Sequence, residues 1–310
     1  MPLSAQVHVN RPLSNISIAY QVQGLIADQV AKAVPVKHES DSYFVYTKDN
    51  FRLDETRRAN GAESNKALWN LSTATYSLQF HALHDVISDR DRDNADEALR
   101  LDVDAVEMLT GKILLRKEQV FSDLIGTAAN WGSRSSMTST FAWNVQTTLS
   151  NPIPFMDSAA SAILYASGQR ANVGVLDDRT FKAAKEHGSI VDRVKYTSPD
   201  SVTKELLARL FNLDNLYVSS AVRNTADEGQ ADSMSLLLTD CAWVGYVEMN
   251  PGLKKASALY QFVKSSEGLT ARVKKWRKEE LESDVVEVQT NFDIKAVASD
   301  CAFHINDTVQ

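Results

Sequence analysis

The chain has 310 residues, 44% hydrophobic and 24% charged, the make-up of an ordinary globular protein long enough for one large domain or two. Its formal charge of −7 carries no basic excess of the kind that advertises nucleic-acid binding. No apolar run reaches the ~18 residues of a membrane span, and the N-terminus lacks the apolar core of a signal peptide.

Residues 1–34 read as an extended arm, with Pro2 and Pro12, frequent polar residues, and Ile16, Ile18 and Tyr20 at alternating positions. Leu25, Ile26 and Val30 add apolar surface that is costly to leave exposed. The arm is therefore expected to dock on its own body or on another copy. Tyr43–Tyr46 follows as a strand, then a polar excursion from Lys48 to Asn70, then a second β-like run over Thr73–Phe80. A connection of roughly 25 residues is well beyond ordinary hairpin loops. The excursion mixes five basic residues (Lys48, Arg52, Arg57, Arg58, Lys66) with four acidic ones (Asp49, Asp54, Glu55, Glu63). Phe51, Leu53, Leu68 and Trp69 supply apolar anchors, and such a mixture suits a contact surface. The candidate contact residues are Phe51, Arg52, Arg57, Arg58, Glu63, Lys66 and Trp69.

Asp93 to Gly126 carries the strongest periodic signal. Asn94 and Glu97 have capping-box spacing, and Ala95, Leu99, Val103, Val106, Leu109 and Ile113 recur at steps of three and four. After a charged break at Arg116 and Lys117 the stripe resumes at Val120, Phe121 and Leu124. The spacing predicts one helix of about 31 residues, ~46 Å long, with acidic residues early and basic ones late as its dipole favours. A helix that long needs a sheet or neighbouring subunits along its length. Trp131 and Trp143 then flank a Ser/Thr-rich stretch, 133–140, that reads as a loop. Asn151-Pro152 starts a helix that ends at Gly168, Val173–Leu176 reads as a strand, and a short helix closes at His187-Gly188. A helix from near Ser201 and strands at 216–218 and 241–247 complete a mixed helix–strand region. The remainder reads as β: Leu269–Trp276, Asp284–Val297 and Cys301–Ile305, the last two as a hairpin across Ala298-Ser299-Asp300.

Chemistry-bearing patterns are scarce. His81 and His84 are three apart, which puts them on opposite faces of a strand and argues against a shared ion. No Gly-x-Ser-x-Gly elbow, phosphate-binding glycine loop or HExxH is present. Cys241 and Cys301 sit in apolar settings, as reduced thiols of a cytosolic product do. Lys274, Lys275, Arg277 and Lys278 are followed at once by Glu279, Glu280, Glu282 and Asp284, which reads as a charge-paired turn. No catalytic, cofactor-binding or metal-binding residue is assigned.

The order of parts resembles the major capsid proteins of tailed bacteriophages, an α+β architecture known as the Hong Kong 97 fold. Three stretches carry the resemblance: Tyr43–Tyr46 with Arg58–Glu63 and Tyr76–Val86 leading into Asn94; Asn151-Pro152-Ile153 with Asn172–Leu176 and Phe181–Val194; and Leu206–Phe211 with Val218–Ala226. The resemblance implies an N-terminal arm (1–38) and an extended loop (39–80) reaching over a neighbouring subunit, which makes the candidate residues inter-subunit contacts. It further implies a peripheral domain (81–152 and 256–310) with a spine helix at 94–125, and an axial domain (153–255). Relatives often begin with a helical scaffolding segment that is removed; here Met1 leads straight into the arm, so a separate scaffolding protein, or none, is expected. The function implied is structural: hexamers and pentamers close an icosahedral head, assembled in the bacterial cytoplasm around double-stranded DNA. The resemblance implies a portal protein, and separate scaffolding or cement proteins where they are used, as the other partners; no cofactor, enzymatic activity or membrane is implied. A wall without a basic surface suits that role, because strong phosphate binding would hinder DNA being driven in. An encapsulin-like compartment shell is the alternative within the fold, and a soluble oligomeric hydrolase using His81, His84 or Asp85 the alternative outside it.

Overall fold

A computed structural model describes residues 22–309 apart from 47, 62, 68–69, 96–99, 138–139, 148, 196–201, 253 and 266–270. Most of the arm, together with Leu68, Trp69 and Glu97, lies outside the described residues. The described end of the arm forms a one-turn helix, α1 (Ala27–Val30), and a strand, β1 (Ala33–Val36). Strands β2 (Ser40–Tyr46) and β3 (Leu71–Ser77) pair antiparallel with Tyr43 opposite Ala74, so the excursion is the tip of a long hairpin. The run to Phe80 is two strands, not one. At Leu78 the backbone N–H turns to the Glu39 carbonyl, 2.7 Å away, and β4 (Gln79–Ser88) enters a different sheet.

Helix α2 (Asp89–Asp93) is capped by the Ser88 side chain, and its C-cap is Asn94, whose amide donates to the Arg90 carbonyl at 2.7 Å. Asn94 thus closes this short helix rather than opening the long one, a correction to the capping-box reading. Helix α3 (Leu101–Gly126), the spine, is described from Arg100, which offers no side-chain cap. Its 26 residues span about 39 Å. Asp102 and Asp104 occupy its first turn, where they suit the dipole.

Beyond the spine the chain makes β5 (Ser133–Ser136), α4 (Pro152–Ser167), β6 (Val173–Asp177), α5 (Asp178–Glu186), α6 (Gly188–Val194), α7 (Lys204–Leu210) and β7 (Asn215–Ser219). Helix α4 has the predicted ends: the Asn151 side chain accepts from the Ile153 N–H at 3.1 Å, Pro152 needs no partner, and Gly168 adopts φ 69°. A small hairpin, β8 (Val222–Asn224) with β9 (Met234–Leu236), precedes β10 (Cys241–Gly245), β11 (Leu259–Lys264), β12 (Arg272–Lys278), β13 (Ser283–Ala296) and β14 (Ala302–Asn306).

Two five-stranded sheets result. In the first, β13 is central: β4 runs along one edge, β12 and then β11 share the other, and β1 adds parallel to β11. In the second the order is β5-β14-β10-β6-β7. Strands β13 and β14 therefore belong to different sheets and are not a hairpin, because the turn at Ser299–Cys301 carries the chain from one sheet to the other. The Ser/Thr-rich stretch read as a loop contains β5, parallel to β14, so the second sheet draws strands from 133–136 and 302–306 as well as from 153–255.

The spine lies on the first sheet. Ala105 packs with Ile87 and Val286, Leu109 and Ile113 with Val288, and Phe121 and Ile125 with Phe292 and Ile294 in the main core. An ionic cluster pins its start to the strands. Arg92 reaches Asp284 at 2.9 Å and Asp102 at 3.0 Å, Lys275 reaches Asp102 at 3.0 Å, and Arg277 grips Asp89. The basic run of β12 is thus charge-paired, its partners coming from α2, α3 and β13. A second core, around Trp143, Met156, Leu176, Leu207 and Phe211, sits between the second sheet and α4–α7.

Candidate subunit-contact surface

The loop at the tip of β2–β3 is held by its stalk. Tyr43 and Tyr76 place their rings 5.5 Å and 4.7 Å from that of Phe262 on β11. The Ser77 N–H donates to Asp293 at 3.0 Å and the Lys295 ammonium to the Thr75 carbonyl at 2.8 Å. Burial pushes the Tyr43 and Tyr76 hydroxyls above the usual phenol range, so both stay neutral. Beyond the stalk, Lys48–Phe51 forms one 3-10 turn.

The loop's neck closes where the Asn70 N–H donates to Asp49 at 3.1 Å, while Arg52 approaches the same carboxylate at 3.4 Å. Further out, the Arg57 N–H and the Asn65 amide both turn back to Glu55, each at 2.8 Å. Phe51 is 65% exposed and Leu53 fully so. Arg52, Arg57, Arg58, Glu63 and Lys66 are all exposed, so the structure gathers the described candidates on one projecting loop. Trp69 lies outside the described residues.

The described end of the arm docks on its own body, one of the two outcomes expected, at a place that went unseen in the sequence. The apparent charged break in the spine is where the arm docks. Glu118 is 1% exposed and accepts the N–H groups of Ile26 and Ala27 at 3.0 Å and 2.8 Å. It caps α1, whose own N-cap residue, Ile26, has no side chain to do so. Lys117, also buried, pairs with Asp28. Desolvation raises the Glu118 pKa above the usual carboxylate range, against the two N–H bonds that lower it. Two ionic residues inside an apolar stripe were the signal, but their partners lie some 90 residues upstream.

The alternative chemistry does not assemble. On β4, His81 stacks on Phe292 at 4.6 Å, whereas His84 faces the other side of the strand and Asp85 accepts the Val86 N–H. Buried Ser150 lies 2.9 Å from His187 Nε2, and His187 Nδ1 2.8 Å from Ser189, but Ser150 also donates to backbone carbonyls of its own loop. His187 caps α6, which makes this chain of bonds a fastening between that loop and the helix. Cys241 and Cys301 are buried and unbridged, and burial drives the Cys241 thiol far up. Among the described residues no group of three His, Cys, Asp or Glu side chains is placed to hold a metal, and no helix is long and apolar enough to cross a membrane.

Comparison with known proteins found no matching family model. Two curated relatives, each called a major capsid protein, come from Burkholderia phage BcepMu and Pseudomonas phage JBD67. The first is 27% identical over 217 residues, 69% of either chain; the second is 29% identical over 236 residues, 74% of either chain. Among solved structures, a phage-related protein of Bordetella bronchiseptica RB50 superposes with a TM-score of 0.71 at 21% identity, covering 97% of both chains. The capsid structure of cyanophage P-SCSP1u gives 0.64 at 10% identity, covering 94% of this chain and 90% of its own. An encapsulin complex from Synechococcus elongatus PCC 7942 gives 0.56 at 12% identity, covering 96% and 95%.

Proposed function

We infer that this chain is the major capsid protein of a tailed bacteriophage, built on the Hong Kong 97 fold. The observation that carries the inference is correspondence along the chain: curated relatives named for this role align over about 70% of it, and a capsid structure matches 94% with the same architecture. It is a structural protein and not an enzyme. Copies associate into a multimeric shell, and the place of the protein is the virion capsid.

The finer parts of the proposal rest on the resemblance to this family of capsid proteins. Hexamers and pentamers close an icosahedral head, with 153–255 turned toward their axes and the first sheet and spine forming the periphery. The loop over 39–80 reaches a neighbouring subunit through Phe51, Arg52, Arg57, Arg58, Glu63, Lys66 and Trp69. The support is that those of them the structure describes are exposed on one loop while the stalk beneath is fixed. Double-stranded DNA is enclosed without sequence-specific contacts, in keeping with the net charge of −7. Portal protein, and separate scaffolding or cement proteins where they are used, are the other partners, and assembly takes place in the bacterial cytoplasm.

The encapsulin likeness supports a rival reading, a compartment for protein cargo. Electron microscopy of particles formed by the expressed chain separates the two. Large icosahedral heads that take up DNA when portal and packaging motor are supplied are expected. Small, uniform cages retaining a co-purified protein would favour the compartment.

A further inference from the structure

We propose that Lys48 with Asp300, and Phe51 over Gly168, form a releasable latch that parks the extended loop on its own subunit until a neighbouring copy takes it. The proposal rests on the loop's assignment as the inter-subunit contact. The Lys48 ammonium stands 2.5 Å from Asp300, across the chain from the stalk. Three residues on, the Phe51 ring covers Gly168: a Cβ on that glycine would lie 2.6 Å from the ring Cζ. Gly168 is the left-handed C-cap of α4, so helix termination and loop seating share one residue.

The two halves of the latch differ in rigidity. The seat is built. Asp300 belongs to the tight turn joining β13 to β14, its carboxylate lies against Gly132 where no side chain would fit, and α4 packs beside it. The loop side is shallow. Lys48 and Asp300 are 56% and 41% exposed, so their ion pair favours the parked loop by only a few-fold, and Phe51 buries only one face. Beyond Phe51 the tip is exposed. Leu53 is fully exposed, and among the described residues neither Arg57 nor Lys66 has an ion-pair partner. A weakly held root and an unpartnered tip give two positions of similar energy. A neighbour offering contacts to Leu53, Arg57 and Lys66 shifts the loop outward by its differential affinity.

The test uses dissociated subunits of the full chain and reads two quantities: the rate of tryptic cleavage at Arg52, Arg57 and Arg58, and the rate of shell formation by light scattering. Asp300→Lys repels Lys48 and is expected to raise both rates several-fold. The exchange Lys48→Asp with Asp300→Lys restores the pair and should return both to the parent values. Lys48→Gln, which cannot disturb the turn, should act in the same direction as Asp300→Lys. Unchanged cleavage in Lys48→Gln would overturn the latch. So would faster cleavage with shells that fail to form until the charges are exchanged, because the pair would then be part of the finished shell. If the parent chain builds no shells, the capsid reading fails separately, and the cleavage rates still decide whether the loop is parked.

Discussion

Glu118 shows how one side chain can hide a contact inside an ordinary helical stripe. A buried carboxylate is tolerated because it caps α1 from outside, yet among the described residues its Oε1 has no partner, nor has the Ser122 hydroxyl one turn further on. Its folded-state pKa is raised, so the native protein holds this proton more tightly than the unfolded chain does. The associated stability is fully present below the ordinary carboxylate value and is lost as pH rises through the raised one. Glu118→Gln keeps a carbonyl on both N–H groups and removes the charge. Thermal unfolding of subunits between pH 4 and pH 8 should show this downward trend in the parent and a flatter one in the variant. Glu118→Ala leaves two buried donors unpaired and should cost about 1–3 kcal/mol at every pH. A variant trend as steep as the parent's would mean that another group is responsible.

At the scale of elements, the spine and its platform dominate. Leu109 is 4% exposed and packs on Val288, so Leu109→Asp places a carboxylate between helix and sheet. That should cost several kcal/mol and leave the protein insoluble or unassembled. Expression followed by size-exclusion chromatography reads the outcome, and a soluble, shell-forming variant would contradict the packing. The spine was legible because its 3.6-residue period runs for many turns, as were the ends of α4, where Asn-Pro and Gly are local signals. Strand β11 was missed because Leu-Tyr-Gln-Phe-Val is buried on both faces and shows no alternation. Strand β5, Ser-Arg-Ser-Ser, is polar enough to look like a loop and takes its place from pairing with β14. The false β13–β14 hairpin arose because a three-residue link between strands suits a turn and a change of sheet equally well. The projecting loop was legible from its length and charge mixture, whereas the Glu118 and Asp300 contacts join residues far apart in the chain and leave no local trace.

For the whole molecule, what matters is how little any single contact must contribute. A closed shell repeats each interface many times, so weak contacts suffice once copies are held together, and strong ones would trap misassembled forms. The body is fixed by two cores and an ionic cluster, while the projecting loop rests on an exposed ion pair and one aromatic face. That division predicts a separation of folding from assembly. Tyr46 and Leu71 lie opposite each other at the hairpin's end, so Thr47–Asn70 can be replaced by Asn-Gly, a two-residue turn that closes antiparallel strands without strain. The shortened chain keeps every buried residue of both main cores and should unfold within a few degrees of the parent. It should nevertheless remain as subunits or small oligomers under conditions where the parent closes shells, as sedimentation and negative-stain microscopy would show. Intact shells from the shortened chain would remove the loop from the contact surface and move the search to the exposed faces of the second half of the molecule.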